Sequence, residues 1–161
     1  MTHESLPDAQ PRETAGVLIL PPLLFALPLV LGWVLERAIA LPGLPAIFRP
    51  LGLLLLVLSL VPGPWALVVM LRAGVNPEPH VPTRRLVVRG PFRFSRNPIY
   101  LTYILFTAGF SLVANSLWML LLLIPAIVVA HYGIELREER YLSRRFGAPY
   151  DLYRRRVRRW L

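Results

Sequence analysis

The sequence of 161 residues contains no cysteine and no lysine, and only 17% of its residues are charged. The lack of cysteine excludes disulfides, thiol catalysis and metal sites built from thiolates. No second histidine or carboxylate lies at metal-ligand spacing from His80, so we predict no metal site. The sequence also lacks a phosphate-binding glycine-rich loop and a Rossmann fingerprint, which argues against the common nucleotide-binding domains.

The sequence is rich in long uncharged runs. Of its residues 55% are hydrophobic, and the mean hydropathy is +0.53. Residues 17–35 and 51–71 contain no Asp, Glu, Arg or His, and each approaches the ~20 apolar residues that one membrane-spanning helix needs. A third run, 98–130, has 33 residues and would form a helix of roughly 50 Å. That length fits two short spans, and Asn115-Ser116 in its middle is the expected turn. We therefore predict an all-α polytopic membrane protein with about four transmembrane helices, the last two forming a hairpin.

Proline and glycine predict where these helices bend and end. The sequence Pro62-Gly63-Pro64 interrupts the second run and predicts a kink or break. Beyond Ala130 an amphipathic helix is expected to about Phe146, with Gly147 ending it and Pro149 starting another short helix. The expected parts are a polar N-terminal tail at 1–15, two spans with their loop at 16–80, and a C-terminal unit with the hairpin and cytoplasmic amphipathic helices at 81–161.

The 18 basic residues, all arginine, are concentrated in two segments. Six lie between positions 72 and 97, and nine lie between positions 137 and 159. Arginine-rich loops stay on the cytoplasmic side of a membrane, so both segments are expected to face the cytoplasm. Four spans then place both termini inside, which predicts a multi-pass protein of the inner (cytoplasmic) membrane. Anionic headgroups of membrane lipids explain the net charge of +9, and we expect no nucleic-acid partner.

Residues 90–101 place an arginine-rich, aromatic loop against the start of an apolar run. Asn97-Pro98 has the pattern of a helix start, with Asn as the cap and Pro in the first turn. Free backbone N–H groups at that start, together with Arg93 and Arg96, would form a local anion site. The alternative is a capped membrane helix whose arginines bind phosphate headgroups. Taken alone, this stretch favours the simpler alternative.

A second polar cluster follows the hairpin. On a helix Glu135, Glu138 and Glu139 share one face, because they are three and four residues apart. No arginine lies three or four residues from any of them, so pairing within the helix does not neutralise this face. Arginines of the 84–96 loop or a cationic ligand are expected to do so, and both alternatives remain open. We interpret His131, at the membrane exit, as a polar anchor rather than a catalyst.

At these positions the chain resembles the superfamily of isoprenylcysteine carboxyl methyltransferases and phospholipid methyltransferases. The resemblance covers roughly residues 82–161, about half of the chain. Several short motifs in the same order and at the same spacing make it fairly specific. These motifs are Leu86-Val87, Gly90-Pro91-Phe92, Arg96-Asn97-Pro98-Ile99-Tyr100, Glu138-Glu139, Phe146-Gly147, Tyr150, Tyr153 and Val157.

The resemblance implies an integral-membrane methyltransferase that uses S-adenosylmethionine and acts on a lipophilic acceptor, an isoprenoid or a lipid. Methyl transfer would be direct, with an arginine neutralising an acceptor carboxylate or a glutamate deprotonating an acceptor amine. The candidate catalytic residues are Glu139 and Arg137, the latter as a substitute for the arginine that the superfamily uses. The resemblance also implies a cofactor pocket formed by Leu86, Val87, Phe92, Arg96, Asn97, Pro98, Ile99, Tyr100 and Glu138.

Two positions depart from the prenylcysteine enzymes of this superfamily. Asn97 stands where those enzymes often have histidine, and Ile134 stands where they have an arginine that binds the substrate carboxyl. Arg137 is the expected substitute, and a small isoprenoid or lipid is the expected acceptor. The alternatives are a membrane reductase of the sterol-reductase type, with a nicotinamide cofactor, and a small non-enzymatic membrane protein. Such reductases have many more spans, and a transporter usually needs an intramembrane ionisable residue, which these runs lack.

Overall fold

The computed structural model describes residues 20–76 and 85–160, and every regular element within these ranges is helical. The polar tail expected at residues 1–15 and the position of His80 lie outside the described residues. A short 3₁₀ turn at Gly90–Arg93 and a π-helical segment at Ala130–Glu135 accompany the α-helices. The α-helices in these ranges are α1 (Pro21–Ala38), α2 (Phe48–Ser59), α3 (Pro62–Arg72), α4 (Pro98–Val113), α5 (Leu117–Val129), α6 (Leu136–Phe146) and α7 (Ala148–Arg156).

Three described helical stretches are long and apolar enough to cross a membrane. They are α1, the α2–α3 pair at Phe48–Arg72, and the stretch Leu117–Phe146 that begins with α5. The fourth apolar helix, α4, has 16 residues and is roughly 24 Å long, which is shorter than a hydrocarbon core of about 30 Å. The predicted all-α membrane fold is confirmed, with three helical stretches of spanning length and one shorter apolar helix.

The break predicted at Pro62-Gly63-Pro64 separates α2 from α3 and is held by one side chain of α4. Thr102 Oγ1 accepts a hydrogen bond of 2.7 Å from the Gly63 N–H and donates one of 3.1 Å to the Ser59 carbonyl. These are backbone groups that lose their partners where a helix is interrupted. A side chain on Gly63 would collide with Thr102, since a Cβ there would lie 2.7 Å from Thr102 Oγ1.

The predicted turn at Asn115-Ser116 joins α4 to α5 and makes them a hairpin. Asn115 has a φ of 56°, in the left-handed region that asparagine tolerates better than most residues. Its Oδ1 accepts a 2.7 Å hydrogen bond from the Leu44 N–H, so the loop before α2 is tied to this turn. Ser116 caps α5 by accepting a hydrogen bond from the Met119 N–H, and its hydroxyl donates to Glu36 of α1 at 2.8 Å. The hairpin returns the chain to the end of the bundle where α4 began.

Glycine allows close contact between α2 and α4, and α4 also packs against α1, α3 and α5. A Cβ on Gly52 would lie 2.8 Å from the Gly109 carbonyl oxygen, so the two backbones are almost in contact. Small residues permit this spacing in membrane bundles. On the other side of α4, Phe25 of α1 and Tyr100 share a buried cluster with residues of α5.

The chain beyond α5 follows the predicted order but contains a feature that the pattern did not reveal. A π-helical segment, Ala130–Glu135, connects α5 to α6, with the Leu136 N–H bonded to the His131 carbonyl five residues earlier. α6 then ends at Gly147, whose φ of 58° is left-handed, and α7 follows with a proline in its first turn. The amphipathic helix to Phe146, its glycine stop and the next short helix are confirmed.

Candidate functional site

A cavity of about 600 Å³ opens between α1, α3, α4, α6 and α7 at the end of the bundle where the two polar motifs meet. Its wall includes all nine residues predicted for the cofactor pocket, and Glu139 in addition. The hairpin brings these residues together, because α4 begins at the cavity and α6 returns to it. Their roles toward a ligand stay predictions.

Arg137 is the predicted site residue that the structure does not bring to the cavity. Its side chain is exposed on α6 and does not belong to the cavity wall. Glu138 and Glu139, which follow it, face the cavity instead. Within residues 20–76 and 85–160, no group of three His, Asp and Glu side chains could hold a metal ion, and His80 is outside these ranges.

The loop before α4 forms one wall and is packed against α3. Gly90 has a φ of 60°, and a Cβ on it would lie 2.8 Å from Val69 Cγ2, so a larger residue would push the loop from α3. Pro98 begins α4, as predicted, and Asn97 occupies the cap position. The Asn97 side chain, however, makes no capping hydrogen bond to the first turn of α4, all of which is described. Ser95 Oγ instead accepts a bond of 3.2 Å from the Asn97 N–H, and Asn97 Nδ2 is buried with no partner among the described residues.

The acidic face of α6 forms the opposite wall, and its three carboxylates have different partners. Glu139 lies 3.0 Å from Arg96 Nη1, which confirms the expectation that a loop arginine reaches this face. Glu138 accepts a hydrogen bond of 3.2 Å from the Tyr100 hydroxyl. No arginine in the described part of the chain lies within ion-pair distance of Glu138, so its carboxylate remains available to a ligand in the cavity. Glu135 is fully buried behind this wall, 3.4 Å from the His131 ring.

Arg159, which the sequence did not single out, is the principal partner of Glu139. Its Nε and Nη2 lie 2.7 and 2.9 Å from the two carboxylate oxygens. Because both oxygens are engaged in parallel, this is the bidentate geometry that arginine favours with a carboxylate. The hydrogen bonds to Glu139 raise the pKa of the Arg159 guanidinium above its ordinary value, so it stays charged. In the sequence Arg159 is one of many arginines in a basic terminal run, and no local pattern distinguishes it.

Polar atoms without partners are concentrated at the same end of the cavity. Arg96 Nε and Nη1 and Asn97 Nδ2 are buried and have no hydrogen bond of good geometry to the described residues. Buried donors in proteins are normally satisfied, so such a group indicates a place for a polar ligand or water. The Asn97 amide faces the Glu135 carboxylate, whose two oxygens also lack a hydrogen bond of good geometry, so it is the Arg96 donors that favour a ligand with acceptor oxygens.

Two tyrosines of α7 complete the polar end and carry no charge at neutral pH. The Tyr153 hydroxyl donates a hydrogen bond of 2.7 Å to the Phe92 carbonyl and so ties α7 to the loop. Burial raises the pKa of Tyr153 and of Tyr150 above the ordinary value, which keeps both phenols neutral. Both side chains line the cavity.

The other end of the cavity is apolar and is formed by the helices that are exposed toward the bilayer. Pro21 and Pro22 of α1, together with Pro64, Leu67 and Met70 of α3, line it. The next residues on these helices, such as Leu23 and Val68, are exposed apolar side chains of the kind that faces lipid. The cavity therefore joins a polar end rich in donors and carboxylates to an apolar end beside the membrane-facing helices.

A helical membrane protein with an amphipathic cavity at one end of its bundle is the class that the fold and the site define. Residues 48–149 match the family model of the phospholipid methyltransferases, and the chain belongs to this family. The predicted superfamily is thereby confirmed, and the family is one of membrane methyltransferases whose members typically use S-adenosylmethionine. An uncharacterized protein of Haemophilus influenzae is 39% identical over 64 residues, which are 39% of this chain and the whole of that protein. No solved structure matches the chain.

Proposed function

We propose that the protein is an integral-membrane, S-adenosylmethionine-dependent methyltransferase that acts on a lipophilic acceptor, an isoprenoid or a lipid, at the cytoplasmic membrane face. One observation carries the proposal: a single cavity of about 600 Å³ has unsatisfied polar donors at one end and an apolar wall at the other. That volume lies within the range of small-molecule sites. A polar cofactor and an apolar acceptor can meet in such a cavity.

The residues at the polar end fit the functional groups of S-adenosylmethionine. Its carboxylate matches the Arg96 guanidinium, whose Nε and Nη1 make no hydrogen bond of good geometry, together with the neighbouring Asn97 in the same wall and the N-terminus of α4. Its hydroxyls match Glu138, which pairs with no described arginine. Phe92 and Tyr100 offer aromatic faces for the adenine. When bound, the cofactor would supply an activated methyl group.

The contribution of the chain is positioning and exclusion of water, which can lower a reaction barrier by several kcal/mol, roughly 7 to 11. The acceptor enters beside α1 and α3, whose apolar residues form the far wall. Reaction occurs where this wall meets the polar end, near Tyr100 and Glu138. No covalent enzyme intermediate is needed for a direct transfer.

The carboxylates support an amine as the acceptor atom. A carboxylate acceptor would need a free arginine, but Arg137 lies outside the cavity wall. Glu139, the residue first expected to be catalytic, is held by two arginines, which favours its ionised form and makes it a poor proton acceptor. Glu138 has no such partner among the described residues, and we assign to it the proton that the amine loses when its nitrogen takes the methyl group. In that transfer the carbon–nitrogen bond would form as the methyl carbon–sulfur bond breaks, and S-adenosylhomocysteine would leave as a neutral thioether.

The test is binding of labelled S-adenosylmethionine to the detergent-purified protein. We expect Asn97→Ala and Glu138→Gln each to weaken binding about 10-fold, the cost of one hydrogen bond to a charged group. Glu138→Gln should also lower turnover by about 100-fold or more, as loss of a general base does. Arg140→Ala, on the exposed face of α6, is the control and should behave as the unmodified protein.

Unchanged binding in both variants would overturn the residue assignment. Binding of a nicotinamide cofactor in place of S-adenosylmethionine would favour the reductase alternative. The acceptor is identified by incubating membrane lipid extracts with the protein and labelled cofactor, followed by mass spectrometry of the labelled products. Label on a lipid amine supports the assigned role of Glu138, and label on a carboxyl group contradicts it.

A further inference from the structure

The C-terminal segment at residues 157–160 lies across the loop that precedes α4, and it is outside the part of the chain that matches the family model. The Arg96 N–H donates a hydrogen bond of 3.0 Å to the Arg158 carbonyl. One residue before, the Ser95 hydroxyl donates a bond of 3.0 Å to the Arg159 carbonyl. Trp160 packs against the buried cluster of α1, α4 and α5, which anchors the segment at its end. The segment thus holds the Ser95 side chain and the N–H of the Ser95–Arg96 peptide through two neighbouring carbonyls.

The Arg159 side chain connects this segment to α6. It pairs with both oxygens of Glu139, at 2.7 and 2.9 Å, and its third nitrogen lies 3.2 Å from the nearer ring nitrogen of His131. Arg159 is not part of the cavity wall, whereas Glu139 and Arg96 are. It acts on the cavity through these two residues.

Two arginines compete for one carboxylate at this point. Glu139 Oε1 is 2.7 Å from Arg159 Nε and 3.0 Å from Arg96 Nη1, but the contact with Arg96 lacks the geometry of a hydrogen bond. Arg159 holds the carboxylate in the bidentate arrangement, so Arg96 is left with a one-point ion pair to Oε1, and its Nε and Nη1 make no hydrogen bond of good geometry to the described residues. A carboxylate without Arg159 would be free to turn and take those donors.

We propose that Arg159 is a positioning residue that occupies Glu139 so that the Arg96 guanidinium stays available to an anionic group of the ligand in the cavity. The inference deepens the proposed function and rests on it, because the anionic group is then the carboxylate of S-adenosylmethionine. Removal of Arg159 frees both carboxylate oxygens, so Arg96 can turn its present one-point contact with Glu139 into a bidentate pair. The carboxylate of the ligand then loses its partner, while the adenosine part of the site is unchanged.

Two ligands that differ in the amino-acid group distinguish this role from general support of the fold. S-adenosylhomocysteine carries the carboxylate, and 5′-methylthioadenosine lacks it but keeps the adenosine and the thioether. We expect Arg159→Gln to weaken binding of S-adenosylhomocysteine by about 10-fold and to change binding of 5′-methylthioadenosine by less than about 2-fold. Arg158→Gln is the matched control, because its side chain is exposed and its structural contact is made by the backbone.

A second substitution tests the connection through Glu139. In a Glu139→Gln background no carboxylate competes for Arg96, so Arg159→Gln should lower the affinity for S-adenosylhomocysteine much less than it does alone. Arg159→Lys keeps the charge but not the two parallel bonds. It should also weaken binding of S-adenosylhomocysteine more than binding of 5′-methylthioadenosine, but by a smaller factor than Arg159→Gln does. If Arg159→Gln does not fold, the binding of the two ligands is compared in Arg159→Lys instead.

The outcomes distinguish failure of the proposed function from failure of the positioning role of Arg159. If the unmodified protein binds neither ligand, the proposed function is overturned, and this inference with it. If Arg159→Gln weakens both ligands equally, or weakens neither, Arg159 is only a structural residue and the inference alone is overturned. Selective loss of S-adenosylhomocysteine, reduced in the Glu139→Gln background, supports it.

Discussion

The Tyr100 hydroxyl donates a hydrogen bond of 3.2 Å to Oε1 of Glu138 across a separation of 38 residues. The bond joins the first turn of α4 to the first turn of α6, so it crosses from one wall of the cavity to the other. The same bond holds toward the cavity a carboxylate that has no arginine partner among the described residues. A change to either Tyr100 or Glu138 therefore removes the same bond between the two walls.

Tyr100→Phe should lower methyl-transfer activity. The substitution removes the hydroxyl and leaves a half-buried carboxylate without its donor, which costs about 1 to 3 kcal/mol locally. We expect kcat/KM to fall about 10-fold, measured with the acceptor found by mass spectrometry. Tyr132→Phe is the control, since Tyr132 is 66% exposed. Equal activity in the two variants would contradict a role for the pair.

Thr102→Val should destabilise the break between α2 and α3. Valine has nearly the same shape but satisfies neither the Gly63 N–H nor the Ser59 carbonyl, and a buried unpaired group costs about 1 to 3 kcal/mol. Thr102→Ser keeps the hydroxyl and should retain most of the stability. Thermal unfolding in detergent measures both, and a Val variant as stable as the Ser variant would show that Thr102 does not support the break.

Gly52→Ala should loosen the contact between α2 and α4. The added Cβ would meet the Gly109 carbonyl oxygen at 2.8 Å, and overpacking of this kind costs about 1 to 3 kcal/mol. Gly133→Ala is the matched control, because the nearest atom, Val129 Cγ1, is 3.9 Å from the added carbon. A lower melting temperature for the first variant and an unchanged one for the second are expected, and equal values would refute the close contact.

Alkaline pH should weaken the attachment of α7 to the cavity loop. Burial raises the pKa of Tyr153 in the folded protein above the unfolded value of about 10. The sign follows from linkage: stability is fully present below pH ~10 and declines as pH rises from there toward the folded pKa. Tyr153→Phe should lose about 1 kcal/mol at neutral pH, because it lacks the bond to the Phe92 carbonyl. Its melting temperature should fall less steeply above pH ~10, and parallel pH curves for the two proteins would contradict the assignment.

The framework of the bundle is predictable because its determinants are local. The uncharged runs give the helices, Pro62 starts α3, the Asn115-Ser116 pair turns the hairpin, and Gly147 ends α6. Each of these acts on the backbone within a few residues of itself. The helical fold therefore follows from the order of residues along the chain.

The partners within the site are less predictable, because they depend on contacts between distant segments. A loop arginine could be expected to reach the acidic face, but the sequence does not distinguish Arg96 from Arg93, nor Arg159 from its arginine neighbours. Asn97 has the pattern of a cap and yet its side chain makes no capping bond in the described helix start. Arg137 is in the correct part of the chain but faces away from the cavity. For Arg137 the direction of side chains on α6 is decisive, and that direction depends on the helix before it.

The π-helical segment at Ala130–Glu135 sets the angular register of α6. A wider turn accommodates one more residue than an α-helical turn, and one residue corresponds to a rotation of about 100°. A regular α-helix continuing from α5 would therefore present Glu138 and Glu139 about a quarter of a turn away from where they now lie. Which residues of α6 face the cavity is thus determined before α6 begins, in a segment that lines no part of the cavity. Substitutions in α6 can change the chemistry of the wall, but the length of this segment decides which side chains form it.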